Sequence, residues 1–170
     1  MGICHLIIGN NLIGQADEEC NLPTWLFSLT DRRNRIIDTK HLLFPKEFEG
    51  LSDREIFETV EKANHLENEF HPDFLYLPQL DNKFWSNHQF TLDETINGYL
   101  INFYVKDNQI TFLIEDITEG LDSNYRSHKF ISHSIDLEVF INTVDQVSEF
   151  LLQKYPYLKG NISSRTFNSS

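Results

Sequence analysis

Histidine and cysteine side chains are the first candidates for chemistry in this chain, which has seven histidines and two cysteines among 170 residues. A zinc-binding helix needs two histidines at positions i and i+4, and zinc-binding loops commonly use CxxC pairs. His65 and His71 lie six residues apart, and Cys4, His5 and Cys20 form no such pair. The sequence therefore predicts no metal site and no cofactor.

Nucleophilic catalysis and phosphate binding also lack a recognisable motif. No serine stands in a GxSxG segment, and Cys20 is followed by Asn21-Leu22-Pro23 instead of an active-site signature. The glycines of Gly9–Gly14 are not followed by the lysine of a P-loop. Paired carboxylates occur throughout an acidic chain and identify no reaction. We therefore predict a protein that is not an enzyme, with an enzyme of an unrecognised family as an alternative.

Acidic side chains dominate the charge, and the formal net charge is −12 at pH 7. Residues 47–73 carry nine acidic residues against Arg54 and Lys62. Such a surface repels nucleic acid and anionic membranes and attracts basic partners. The basic cluster Arg32–Arg35 lacks the interleaved aromatic residues of a nucleic-acid-binding stripe, and we interpret it as pairing with the acidic helix described below.

A predicted β-hairpin over Gly98–Asp116, GYLINFYVKDNQITFLIED, is the element around which the other elements are arranged. Asp107-Asn108 suits a two-residue turn because both residue types tolerate a positive φ. This turn aligns three apolar cross-strand pairs on one face: Val105–Ile110, Phe103–Phe112 and Ile101–Ile114. The opposite face is mixed, and we expect it to be half exposed.

The N-terminal half is predicted in short pieces. Ile3–Ile8 is a strand that returns through a turn into Leu12-Ile13. Pro23 opens a short helix. Residues 31–46 are basic and irregular, with Ile36-Ile37 and Leu42–Phe44 as strand fragments.

A helix is predicted to begin at Ser52, because Ser52-Asp53-Arg54-Glu55 has the capping-box pattern. Ile56 and Val60 mark its inward stripe, and the helix should end near Glu67–Glu69. Phe74–Leu77 is a strand candidate, and Lys83–Leu92 is a loop with one helical turn.

A third strand is predicted over Phe130–Ile141, where apolar and polar residues alternate. His133 lies on its apolar face, and we interpret it as half-buried at the sheet margin. Thr143-Val144-Asp145-Gln146 repeats the capping-box pattern and predicts a closing helix that Pro156 stops.

These elements predict a single α+β domain over residues 1–160, with 161–170 as a flexible tail. Its antiparallel sheet has a central hairpin, and two or three helices pack on one face of it. No window approaches the roughly 20 apolar residues of a membrane span, and the N-terminus lacks a signal-peptide pattern. We therefore expect a cytoplasmic protein.

The acidic surface is the remaining candidate for function, as a protein-binding surface that steers a basic partner. A merely solvated acidic face is the plain alternative. The residues assigned to the surface are Asp17, Glu18, Glu19, Glu58, Glu61, Glu67, Glu69, Asp116, Glu119 and Asp122.

The order of the hairpin YLINFYVKDNQITFLIED, the strand KFISHSIDLEVF and the helix VDQVSEFLLQKY resembles that of small bacterial immunity proteins. These are the cytoplasmic antidotes of polymorphic and contact-dependent growth-inhibition toxins. The similarity covers roughly residues 97–155 and consists of element order, length and charge.

The resemblance implies a non-enzymatic binder of the C-terminal domain of a cognate toxin, which is often a nuclease with a basic, phosphate-binding cleft. It implies no nucleic-acid or membrane partner. An acidic, nucleic-acid-mimicking inhibitor of a defence or nucleic-acid-binding protein is the main alternative. An enzyme would instead show a concave pocket with convergent polar groups.

Overall fold

The computed structural model describes residues 1–14, 19–66, 87–92, 96, 98–117 and 129–159, with the backbone alone for 63–66. The strands of this part are β1 Leu6–Ile8, β2 Asn11–Ile13, β3 Tyr99–Lys106, β4 Gln109–Asp116 and β5 Phe130–Asp136. Its α-helices are α1 Leu22–Thr39, α2 Asp53–Leu66 and α3 Leu137–Lys154, and short 3₁₀ turns cover Lys40–Leu42 and Lys46–Phe48. The predicted α+β fold is confirmed. The 1–160 domain limit stays a prediction, and the predicted tail lies outside the described residues.

The β3–β4 hairpin has the predicted register, with Ile101 opposite Ile114, Phe103 opposite Phe112 and Val105 opposite Ile110. Asp107 and Asn108 both have positive φ, 49° and 62°, as a two-residue turn of matching twist requires. In the described sheet, β5 pairs antiparallel with β4 and gives the order β3-β4-β5. The second strand of the hairpin is therefore the central strand.

One face of the hairpin packs against α1 and α3. Four phenylalanines meet there, with the Phe90 ring centroid 5.4 Å from that of Phe112 and 6.3 Å from that of Phe140. Phe103 joins the same buried cluster. Edge-to-face contacts of this kind add to the stabilisation that burial of the rings supplies.

The opposite face is also covered, so the predictions of a half-exposed face and of helices on one face only were wrong. Leu113 is fully buried in a second apolar cluster with Phe48, Ile56, Phe57 and Val60. Helix α2 and the preceding 3₁₀ turn supply these four side chains. The sheet therefore lies between two helical layers.

Polar residues on this second face explain the error, because they bond to α2 instead of to water. Asn102 is buried, and its Nδ2 donates to Glu61 Oε1 at 2.7 Å. The Tyr104 hydroxyl donates to Asp53 Oδ1 at 2.8 Å. A mixed sequence pattern therefore indicates here a buried face whose polar side chains bond to the neighbouring helix, although Asn102 Oδ1 has no hydrogen-bond partner among the described residues.

Helix α1 is much longer than the predicted short helix. The Asn21 side chain caps it by accepting from the Thr24 N–H at 3.2 Å, and Pro23 lies in its first turn as expected. Ile36 is buried on the same side as Trp25 and Leu29, so the prediction of a strand fragment at Ile36-Ile37 was wrong. Polar and basic residues stand between the buried residues Leu29 and Ile36 of this helix, so its apolar residues are widely spaced in the sequence.

The prediction of a strand fragment at Leu42–Phe44 was also wrong, since Leu42 ends a 3₁₀ turn. The backbone nevertheless reaches the sheet here, where Leu43 C=O accepts from Val105 N–H at 3.2 Å. Further along, Ile101 C=O accepts from Phe90 N–H at 2.7 Å. Together these contacts cover part of the outer edge of β3, which would otherwise expose unpaired backbone groups.

Strand β5 ends at Asp136, so the predicted strand over Phe130–Ile141 and the helix start at Thr143 were wrong. Asp136 Oδ1 caps α3 by accepting from Glu138 N–H at 2.7 Å and from Val139 N–H at 3.4 Å. Thr143 lies inside the helix and donates to Val139 C=O at 2.8 Å. The alternation of apolar and polar residues beyond Asp136 therefore does not indicate a strand, since these residues lie in α3.

The capping box of α2 is confirmed. Glu55 Oε2 accepts from the Ser52 N–H at 2.8 Å and from its hydroxyl at 2.7 Å. The predicted helix end at Glu67–Glu69, the strand candidate Phe74–Leu77 and residues 83–86 of the predicted loop Lys83–Leu92 lie outside the described residues.

The N-terminal hairpin is confirmed in shorter form, with Leu12 and Ile13 in β2. Gly9 has a φ of 61° in its turn, and a Cβ there would lie 3.0 Å from His133 Nδ1. A glycine is therefore needed both for the turn and for the close packing of the hairpin against β5.

We expect Phe112→Ala to lower the free energy of unfolding by about 3–5 kcal/mol, because it removes a ring from the aromatic cluster. Urea denaturation at pH 7 measures the change. Leu42→Ala is the control, since Leu42 is 55% exposed and its loss should change stability by less than about 0.5 kcal/mol. Equal effects of the two variants would contradict the described packing.

We also expect acid to destabilise the fold through His88, which lies 5.2 Å from Phe48 between ring centroids. Burial lowers the pKa of His88 to about 4, against about 6.5 in an unfolded chain. The unfolded chain therefore takes up the proton first as pH falls. This stabilisation is complete above about pH 6.5 and is lost progressively toward pH 4.

Between pH 7 and 5, this group should account for a loss of about 2 kcal/mol in the free energy of unfolding. Urea titrations at the two pH values measure the loss, and His88→Phe should remove that part of the pH dependence. An unchanged pH slope in this variant would show that other groups cause it.

Candidate functional site

Acidic residues of α2 and of the end of β4 form a group that we call the acidic face, and its carboxylates belong to Asp53, Glu55, Glu58, Glu61 and Glu115. Arg54 lies among them and joins the two elements. Its Nε lies 2.9 Å from Glu58 Oε1, and its Nη1 lies 2.9 Å from Glu115 Oε1. The Arg54 guanidinium also covers the Phe130 ring at 5.1 Å from the centroid. These contacts hold the carboxylates in place on the surface.

The hydrogen bonds of Glu55 affect its ionisation. The hydrogen bond from the Ser52 hydroxyl lowers the pKa of Glu55, and the hydrogen bond from the Ser52 N–H lowers it by a smaller amount. The hydrogen bond to Glu58 is the largest cause of a raised pKa at Arg54, and the bond to Glu115 adds to it. Both side chains are therefore charged at neutral pH.

A network of hydroxyl groups fastens the first turn of α2 to the sheet. Asp53 accepts from the Tyr104 hydroxyl through Oδ1 and from the Ser132 hydroxyl through Oδ2. Burial is the main cause that raises the pKa of Tyr104. The Thr111 and Ser134 hydroxyls lie 2.8 Å apart on the neighbouring strands. The described side chains of this network are hydroxyl groups and the Asp53 carboxylate.

Of the ten predicted site residues, the structure describes four: Glu19, Glu58, Glu61 and Asp116. Glu19 and Glu58 are exposed, and Glu58 and Glu61 lie together on α2. Asp116 ends β4, where its N–H donates to Lys129 C=O at 3.3 Å. The other six lie outside the described residues: Asp17, Glu18, Glu67, Glu69, Glu119 and Asp122.

Glu61 does not simply face water, because it accepts the hydrogen bond from buried Asn102. The sequence prediction did not include Asp53, Glu55 and Glu115 of the acidic face. Of these, Glu55 has a sequence signal, because it stands three residues before Glu58 and shares a helix face with it. The contacts of Asp53 and Glu115 with the sheet and with Arg54 depend on tertiary packing and have no local signal.

The basic cluster does not pair with α2 in the described contacts. Arg33 Nη2 lies 2.7 Å from Asp145 Oδ2 of α3, and Arg35 Nε lies 2.8 Å from Asp31 Oδ2 on its own helix. Burial and then the charge of Arg35 lower the pKa of Arg32. The cluster therefore ties α1 to α3, and the expected pairing with the acidic helix was wrong.

A cavity of about 340 Å³ lies between the β1–β2 hairpin, α1, α3 and the sheet. Its lining is mainly apolar and includes Trp25, Phe112 and Phe140, while His5 and His133 contribute imidazoles. His133 is half-buried, as predicted from its strand position. Such a cavity suits an apolar or aromatic group with one polar atom.

Among the described residues, no group of three or more histidine, cysteine or acidic residues is able to hold a metal ion. Cys4 and Cys20 form no disulfide with each other. None of the described helices is both long enough and apolar enough to cross a membrane.

Comparison with protein families gives one match, to the family model described as Immunity protein 42, over residues 1–152. The match includes the N-terminal hairpin, α1, α2, the three-stranded sheet and most of α3. No curated protein and no solved structure matches the chain.

We expect Asp53→Ala to lower the free energy of unfolding by about 1–3 kcal/mol, because the Tyr104 and Ser132 hydroxyls lose their shared acceptor. Urea denaturation measures the change. Glu58→Ala is the control, since its exposed ion pair with Arg54 contributes less than about 1 kcal/mol. A loss no larger than in the control would show that the hydroxyl network does not fasten α2.

Proposed function

The chain belongs to the Immunity protein 42 family, and on that premise we propose that it binds and neutralises a cognate toxin domain by direct protein–protein contact. Membership supports a non-enzymatic inhibitor. The toxin is proposed to be a basic, nuclease-type domain, and the interaction takes place in the cytoplasm.

The acidic face is the observation that carries this proposal. It has five carboxylates against Arg54 and Lys62, a local charge of −3 within a chain of net charge −12. A nuclease binds phosphates through lysine and arginine side chains, so its cleft attracts carboxylates as well. Complementary charge of this kind raises the association rate between two proteins.

The rigidity of the acidic face supports its role in binding. The capping box, the Asp53 network and the Arg54 bridges each fix a carboxylate to the helix or to the sheet. Side chains that are already ordered lose less conformational entropy when a partner binds. Carboxylates held on a helix therefore serve as a preformed set of acceptors for basic side chains.

We expect the triple variant Glu58→Gln, Glu61→Gln and Glu115→Gln to fold and to bind the toxin about tenfold more slowly at low salt. Glutamine keeps an acceptor oxygen for Asn102 and Arg54, so the change removes mainly charge. Stopped-flow or biosensor association measurements across a salt titration test the expectation. The partner is the C-terminal domain encoded directly upstream of this chain.

The matched control changes the same number of charges elsewhere, with Asp38→Asn, Glu138→Gln and Glu149→Gln on exposed positions of α1 and α3. If both triple variants slow association equally, net charge and not the acidic face steers the toxin. If the unmodified chain neither co-purifies with the upstream domain nor protects cells from it, the proposed function is wrong. Binding of many unrelated nucleic-acid-binding proteins would favour the nucleic-acid-mimicking alternative.

A further inference from the structure

Helix α3 carries apolar side chains over a wider sector of its surface than the sector that is buried in the fold. Val139 is 55% exposed and Phe150 is 58% exposed. At about 100° per residue, these two side chains share a sector of about 80° with Thr143 and Val147. Thr143 and Val147 line the cavity, so the exposed residues lie on the same side of the helix as its wall.

The β1–β2 hairpin supplies a second exposed apolar border to the same cavity. Ile7 lines the cavity and is nevertheless 62% exposed, so the cavity is bounded here by a side chain that also faces solvent. Its cross-strand neighbour Leu12 is 40% exposed. We call Ile7, Leu12, Val139 and Phe150 the apolar rim.

Acidic side chains avoid this region although the chain is strongly acidic. On α3, Glu138, Asp145 and Glu149 occupy a different sector of the helix from the rim residues. The charged residue within the rim sector of α3 is Lys154, whose Nζ lies 5.5 Å from the centroid of the Phe150 ring. The rim sector of α3 therefore contains no acidic side chain, and an exposed apolar patch of this kind is typical of an interaction site.

We propose that the apolar rim and the cavity form the anchor site for the toxin, and that a tyrosine or tryptophan side chain of the toxin enters the cavity. This inference rests on the proposed function. The aromatic lining of Trp25, Phe112 and Phe140 fits a ring, and the imidazoles of His5 and His133 offer partners for its hydroxyl or indole N–H. Such pocket-filling aromatic residues commonly contribute most of the binding energy at an interface.

The net charge of the chain favours the toxin over a second copy of the chain as the occupant of the cavity. Two copies of this chain each carry a net charge of −12 and repel one another. A basic toxin is attracted instead by the net charge of the chain. The occupant is therefore a side chain of an oppositely charged protein.

The test measures the affinity and the two rate constants for the upstream-encoded toxin domain. One variant combines Ile7→Ala with Phe150→Ala and removes rim contacts, whereas Thr143→Trp fills the cavity from its exposed wall. Both should weaken binding by about tenfold or more through faster dissociation, with little change in salt dependence. Leu42→Ala is the matched control because Leu42 is 55% exposed, as is Val139.

Thermal denaturation verifies that each variant is folded, and Ile7→Ala with Phe150→Ala alters only exposed positions. Toxin binding that is unchanged in both variants overturns the anchor site and leaves the proposed function intact. Failure of the unmodified chain to bind the toxin overturns both. Self-association of the unmodified chain that the rim variant abolishes overturns the toxin as the occupant and indicates a second copy.

Discussion

Burial of β4 on both faces is the constraint on which the rest of the structure depends. Phe112 enters the aromatic cluster under α1 and α3, while Leu113, the next residue, is fully buried under α2. Adjacent strand residues point to opposite faces, so one strand requires two helical layers. A two-stranded hairpin alone would be marginal in water, and the central position of β4 between β3 and β5 gives the helices a stable surface.

The second layer is stabilised by hydrogen bonds that polar side chains of the sheet donate to α2. Asn102 and Tyr104 would destabilise a buried face without acceptors, and the acidic residues of α2 provide them through Glu61 and Asp53. The same helix therefore uses some carboxylates to dock on the sheet and presents others outward. Acidic character in α2 is consequently a requirement of the fold as well as a source of surface charge.

The sequence predicted those features that local physics determines. Turn chemistry at Asp107-Asn108 fixed the register of the hairpin, and the Ser52 capping box located the start of α2. The predicted end of β5 was wrong because the alternation of apolar and polar residues continues past Asp136 into the first residues of α3. Over so few residues, the two-residue period of a strand and the period of a helix give the same apolar spacing. Relations between distant segments, such as Glu61 with Asn102 or the cavity between α3 and the N-terminal hairpin, follow from tertiary packing and have no local signal.

The acidic face and the apolar rim differ in the physics by which each can act on a partner. Charge operates over distances comparable to the Debye length and speeds encounter with any basic protein, so it gives little discrimination among such proteins. Apolar contact operates only at close range and depends on shape, so a cavity lined by Trp25 and His133 can reject a toxin that lacks a fitting side chain. An immunity protein that is specific for its own toxin must distinguish it from related domains. Discrimination of that kind requires a shape-dependent site in addition to the acidic face.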